Sequence, residues 1–346
     1  MDSAHDWLPE TGLGPDPAVV REVLAIRPGG LAAVVHAVPA LRHLRATYPA
    51  ARITVAASAP ARELLDACPY VDRVLDLRRP SAAMRERFDV AVSFASPHDA
   101  SRLDIDDVDA RFRAGWKLGG AVERGAIHPS WPMRLPDSTR MLRLAWLLGG
   151  SAPDESLGLW PTLVDRNGAA QLVAACERPL AILHVGAAHA ARRWPSERWA
   201  RVVELLDATG LDVAIVGSTR DLEATESVLA HTAAMPLVLT GRTTVGELVG
   251  LLERATLFVG TDSGPAALAS ALGTRSVVVG PSSLLELQSR PGLGDLVHAG
   301  PCATCGEIAC QHPAQAAQAV PLEPVLARVG LAAATARDRW IAARIA

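Results

Sequence analysis

Lysine is almost missing from this 346-residue chain: Lys117 stands alone against 33 arginines. A cation that meets a phosphate or carboxylate here is expected to be a guanidinium, which makes paired, fork-like bonds to such groups. Aromatic residues are scarce, 14 in all, and eight of them are tryptophan. Alanine occupies many core positions instead. No run of 18 apolar residues free of charge occurs, which argues against a membrane-spanning helix. Residues 1–20 hold Pro9, Pro15, Pro17, Gly12, Gly14 and four acids, with neither a cationic nor an apolar signal region. They are expected to be a mobile extension rather than a targeting segment. Cysteines number five: Cys68 and Cys176 stand apart, and Cys302, Cys305 and Cys310 cluster. An odd count in a long chain argues against a disulfide framework and for a reducing cytoplasm. Charged residues are 21% and balanced, with a net charge of −3, so no basic stripe for nucleic acid is expected.

What is present is enough for a core. Hydrophobic residues make up 49%, which excludes wholesale disorder, and the length suggests two domains. In the first half, strands are expected at Val23–Ile26, Arg52–Ala57, Arg73–Leu77 and Asp89–Phe94. Helices are expected at 31–47, around 60–67 and at 138–149. In the second half, strands are expected at Leu180–Val185, Leu211–Val216, Leu237–Leu239, Thr256–Val259 and Ser276–Val279. Helices are expected at 196–208, 220–231, 244–252 and 265–272. Residues 322–345 are rich in Ala and Arg and read as helical. The alternation argues for an α/β chain of two doubly wound domains, with ligands at the carboxyl ends of the strands. The division expected is a mobile 1–20, a domain at 21–150, a linker at 151–178, a domain at 179–330, and a C-terminal helix at 331–346.

Four loops carry chemical interest. Val259-Gly260-Thr261-Asp262-Ser263-Gly264-Pro265 joins a buried strand to a helix. Asp262 or Ser263 is expected to cap that helix, Gly264 allows close backbone approach, and Pro265 suits the first turn. Such a turn either attracts a phosphate or is simply a well-capped helix start. Gly186 to Pro195 contains Arg192, Arg193 and Trp194 and precedes a helix that Ser196 is expected to cap. Its arginines suit a diphosphate, or form a solvated pair beside a structural tryptophan. Arg27, Gly29 and Gly30 form a glycine turn after the first strand, without a dinucleotide fingerprint. Finally, Cys302, Cys305, Cys310 and His312 lie within eleven residues. They are either a zinc site or reduced structural thiols; everything sits in one loop, whereas a zinc signature normally shows two separated pairs.

The order of these motifs resembles glycosyltransferase family 9, the ADP-heptose:lipopolysaccharide heptosyltransferases, from Val23 to about Ala319. Ile26-Arg27 through Leu41, with Tyr48-Pro49, is similar to the family's opening strand, loop and helix. His184 to Ala188 with Arg193-Trp194-Pro195 is similar to its donor-phosphate loop. Thr240-Gly241, with Arg242, Thr243, Thr244, Glu247 and Leu248, is similar to the segment bordering the nucleotide base. Asp262-Ser263-Gly264-Pro265, with Gly273 and Gly280-Pro281, is similar to the most specific signature. The resemblance implies a GT-B fold, two Rossmann-like domains facing across a cleft. It implies inverting, metal-independent transfer from a nucleotide-sugar to a glycolipid or small-molecule acceptor, with no cofactor. It places Gly186, Arg192, Arg193, Thr240, Gly241, Asp262, Ser263 and Gly264 on the donor side, and Arg27, Gly29 and Gly30 on the acceptor side. A lipid acceptor would bring peripheral contact with the inner face of a membrane.

The chain departs from the family at several positions. The family's Gly-Asp, whose aspartate is the usual general base, is Ala32-Ala33 here. A histidine common in the family is Ala267, the lysine before Trp-Pro is Arg192, and a fourth cysteine would fall near Ala316 or Ala317. His36 lies three residues beyond Ala33, on roughly the same helix face, and is the candidate substitute base. It is otherwise an ordinary histidine. Asp104, Asp106, Asp107 and Asp109 could offer a carboxylate but read first as a solvated acidic face. The expected function is a glycosyltransferase. The alternative is a catalytically silent member that binds a nucleotide-sugar or a protein partner.

Overall fold

Val23, Leu24, Ala25 and Ile26 are fully buried in β1 (Glu22–Arg27), inside a parallel sheet. Strands covered on both faces read as continuous apolar runs, which is why this one is visible in the sequence. In this computed structural model the described residues are 12–77, 86–96, 105–117, 121–123, 126–129, 135–151, 154–187, 193–280, 294–298 and 317–345. The chain divides into two compact units, Met1–Trp160 and Pro161–Ala346.

In the first unit, β1 is joined by β2 (Arg52–Ala57), β3 (Arg73–Asp76), β4 (Phe88–Ser93), β5 (Ala110–Gly115), β6 (Ala121–Glu123) and β7 (Ala126–His128). The order is β3-β2-β1-β4-β5-β7-β6, and every pairing is parallel except β6 with β7. Val23 sits opposite Ile53 on one side and Val90 on the other. Helices α1 (Leu31–Thr47) and α2 (Asp137–Leu147) pack together. The helix expected at 60–67 is a 3-10 turn at Ala61–Leu65. Part of the expected mobile extension is in fact fixed. Residues 1–11 lie outside the described residues, but the Leu13 N–H donates to the Leu147 carbonyl at 3.0 Å and Val20 is buried.

The second unit runs through α3 (Leu163–Leu172), β8 (Leu180–His184), α4 (Ser196–Ala208), β9 (Asp212–Ile215), α5 (Leu222–Leu229) and β10 (Leu237–Val238). It continues with α6 (Val245–Arg254), β11 (Leu257–Thr261), α7 (Gly264–Leu272), β12 (Ser276–Val279), β13 (Gly294–Val297) and α8 (Leu322–Ile345). Its sheet is parallel in the order β10-β9-β8-β11-β12-β13. Both sheets thus place the first strand beside the fourth, the topological switch of a Rossmann-like fold.

The expected linker at 151–178 needs correcting, because α3 lies inside it and belongs to the second unit. Thr162 and Asp165 form a capping box: the Thr162 hydroxyl accepts the Asp165 N–H at 3.2 Å, and the Asp165 carboxylate accepts the Thr162 N–H at 2.8 Å. Ala169 then packs on α6 at Gly250, where an added Cβ would meet the Ala169 methyl at 2.9 Å. The C-terminal helix is one element from Leu322. It buries Val325, Val329, Ala332, Ala333 and Ala336, at helical spacing, in the core that includes Val202, Val203 and Leu206 of α4.

Candidate functional site

The carboxyl end of β1 carries a charged cluster under the glycine turn. Gly29 has φ +114°, and a Cβ there would lie 2.7 Å from the Ala33 methyl, so the turn needs glycine. Arg27 is only 6% exposed. Its Nε donates to the Ala33 carbonyl at 3.0 Å and its Nη1 to the Phe94 carbonyl at 3.1 Å. Its Nη2 donates to Asp137 Oδ2, at the start of α2. Asp137 also accepts from Arg140 Nη2 at 2.6 Å, and His36 Nδ1 lies 3.8 Å from its Oδ2. Burial works against the Asp137 charge. The Arg27 guanidinium, His36 and Arg140 outweigh it and hold the carboxyl well below the usual carboxylate range. The structure therefore brings Arg27 and His36 together through a residue the sequence did not single out. The start of α1 has no side-chain cap from its own N-cap residue, Gly30, and no acid lies in its first turn. Asp106, Asp107 and Asp109 are exposed, as expected of a solvated face, and Asp104 lies outside the described residues.

The second cluster lies at the carboxyl ends of β8 and β11. Gly260 lets the two strands approach, since a Cβ there would sit 2.8 Å from the His184 carbonyl oxygen. His184, 5% exposed, ends β8. Its Nδ1 lies 3.0 Å from Ser263 Oγ and 3.3 Å from Thr261 Oγ1. Its Nε2 lies 3.8 Å from Asp221 Oδ2. Asp221 accepts the Ser218 N–H and hydroxyl, each at 2.8 Å. Burial opposes the Asp221 charge, but His184 and Ser218 outweigh it and bring its pKa down to about 2. Gly186 passes close over this pair: a Cβ there would fall 2.0 Å from Asp221 Oδ1 and 3.0 Å from His184 Nε2.

Ser263 occupies the N-cap of α7, yet it makes no side-chain cap. This corrects the expectation from sequence. Its hydroxyl donates to the Thr261 carbonyl at 3.0 Å and faces His184 instead. The expected Ser196 cap is also not made; Pro195 is the N-cap of α4, and Ser196 is the first helical residue. Thr240 turns inward, with its hydroxyl 2.9 Å from that of Thr225. Gly241, at φ +72°, is the exposed part of that segment and lies against Thr219.

Arg193 is partly exposed. Its Nη1 lies 4.0 Å from Glu223, a carboxylate almost fully in solvent, and its Nε is buried with no hydrogen-bond partner among the described residues. Arg192, Cys302, Cys305, Cys310 and His312 lie outside the described residues. Among the described residues no group of three or more His, Cys, Asp or Glu side chains could hold a metal ion. No helix among them is long and apolar enough to cross a membrane. Sequence reasoning missed Asp137 and Asp221, and named His184 only as the start of the loop similar to the family's donor-phosphate loop. The one local signal available was Ser218-x-x-Asp221, the spacing of a capping box.

Comparison with known proteins agrees with this architecture. The family model for glycosyltransferase family 9 (heptosyltransferase) matches residues 109–287, just over half of the chain. Lipopolysaccharide heptosyltransferase 2 of Salmonella typhimurium is 28% identical over 296 residues, which is 76% of this chain and 83% of that protein. The protein of the same name from Escherichia coli K12 is 27% identical over the same shares. Among solved structures, E. coli ADP-heptose lps heptosyltransferase II aligns with a TM-score of 0.69 at 22% identity. That alignment covers 91% of this chain and 99% of the other. A family 9 glycosyl transferase from Veillonella parvula aligns at 0.65 with 18% identity, covering 75% and 80%. The chain has the GT-B fold and belongs to glycosyltransferase family 9, the heptosyltransferase family, and so to the glycosyl-transferring enzymes.

Proposed function

We propose that the protein moves a heptose or a related sugar from a nucleotide-sugar to a glycolipid or small-molecule acceptor, with inversion and without a metal. ADP-heptose is the donor of first choice. The observation that carries this reading is the family match across residues 109–287, which includes the β11–α7 turn. The donor is assigned to the second unit. There Arg193, Arg192, the Gly186 loop and the first turn of α7 would meet the diphosphate, and Gly241 would border the base. Guanidinium groups and helix N–H groups would take up the charge that develops on the leaving diphosphate, the task a metal performs elsewhere.

The acceptor is assigned to the first unit, beside Arg27, Gly29 and Gly30. His36 is the base in this reading. The Asp137 carboxylate near Nδ1 favours the proton there, so that Nε2 is the basic nitrogen. As the acceptor hydroxyl gives its proton to Nε2, its oxygen attacks the anomeric carbon. The bond from that carbon to the diphosphate oxygen breaks on the opposite face, and the electron pair leaves with the diphosphate. A lipid acceptor would put this cytoplasmic reaction at the inner face of a membrane.

The test is to incubate the protein with ADP-heptose and candidate acceptors and to follow ADP release. Turnover above the rate without protein supports the enzyme. ADP binding by calorimetry with no consumption of the donor supports the silent alternative, which Ala33 and Ala267 motivate. Transfer with retained configuration contradicts the inverting step.

A further inference from the structure

Two hydroxyls, those of Ser263 and Thr261, meet at one edge of the buried His184 ring. Ser263 has one hydroxyl proton, and it goes to the Thr261 carbonyl. Thr261 has one as well, and its hydroxyl donates to the Gly186 carbonyl. Both oxygens also lie within hydrogen-bond distance of His184 Nδ1, Ser263 Oγ at 3.0 Å and Thr261 Oγ1 at 3.3 Å. Asp221, with its carboxylate held by Ser218 and facing Nε2, orients the other edge of the ring.

This network decides what happens at the start of α7. A serine at an N-cap ordinarily accepts from the N–H of the second or third helical residue. Here the second is Pro265, which has no N–H, so the only amide that Ser263 could cap is that of Ala266. His184 draws the hydroxyl the other way, and no such cap forms. The helix also carries no acid in its first turn.

We infer that His184 is a positioning residue for the donor: by drawing the Ser263 hydroxyl away from the first turn of α7, it leaves the Ala266 and Gly264 amides to the donor's diphosphate. The inference rests on the proposed donor site and names what keeps that site open. Ser263 thus competes with the ligand for one N–H, and His184 settles the competition in the ligand's favour. The carboxyl ends of β8 and β11 are tied together by the same contact.

The test is a double-mutant cycle on the full chain, read by calorimetry with ADP, and with GDP and UDP as controls for the base. His184→Ala frees Ser263 to cap Ala266, and ADP binding is expected to weaken by about tenfold. Adding Ser263→Ala removes the competing hydroxyl, and affinity is expected to return to within threefold of that of Ser263→Ala alone. A histidine that served packing alone would not be rescued by deleting a second hydroxyl. His184→Asn, whose amide can still hydrogen-bond to Ser263, covers the case in which the alanine variant does not fold; it is expected to bind ADP within threefold of the original. Additive losses in the double variant overturn the inference while leaving the donor site standing. So does a tenfold loss in the folded Asn variant. An original chain that binds none of the three nucleotides overturns both.

Discussion

Asp137→Asn is the perturbation that bears most directly on the first cluster. It keeps the shape of the side chain and removes the charge. Arg27, with 7% of its side chain exposed, then keeps its bonds to the Ala33 and Phe94 carbonyls but loses its carboxylate. Breaking a buried ion pair by removing one partner costs about 3–5 kcal/mol. Asp137 is 26% exposed, and the asparagine oxygen still accepts a bond, so about 2–3 kcal/mol is expected for this unit at pH 7. The pH dependence has a definite sign. The carboxyl is held well below its ordinary value in the folded state. Its stabilisation is complete above the unfolded value of about 4 and is lost as pH falls towards the folded one. The gap between the original chain and the variant should therefore be constant from about pH 5 to 8 and narrow below about pH 4. Two units need not unfold together. The assay is thus urea unfolding followed by hydrogen exchange of peptides from 22–47 and 137–147. A gap under about 0.5 kcal/mol at pH 7, or one that does not narrow at pH 3, refutes the assigned role of the carboxylate.

Two further outcomes are expected. Gly186→Ala forces a methyl to within 2.0 Å of Asp221 Oδ1, and should destabilise the second unit by about 1–3 kcal/mol in the same assay. Thr244→Ala removes the hydroxyl that accepts the Glu247 N–H at 3.1 Å in the capping box of α6, and should cost about 1 kcal/mol with little change in nucleotide affinity.

Much of the architecture was legible because buried parallel strands are apolar runs ending at glycine turns. Ser276–Val279 and Ser196–Ala208 were read to the residue. The short strands β5, β6, β7 and β13 were not. Ala110–Gly115 carries two arginines among six residues, and Ala126–His128 has only three positions. α3 is hard to see in the sequence because its helix is only ten residues long and holds Gly168. The candidate site was legible as loops but not as networks. Asp137 at the start of a helix looks like an ordinary partner for the helix dipole. Its true partner, Arg27, is 110 residues away. Ser263 has every local mark of a cap, and only a histidine 79 residues away shows why it is not one. Local rules fail where long-range pairing outbids them.

In the proposed reaction His36, oriented by Asp137, stands in for the aspartate that Ala33 replaces. The most direct test is kcat for sugar transfer from ADP-heptose at pH 7, measured for the original chain and for His36→Gln. Loss of a general base predicts a drop of about 10²–10⁴-fold, with KM for the donor little changed. Ala33→Asp on that background should recover part of the rate. A His36→Gln protein that folds and transfers sugar at the original rate would contradict the account.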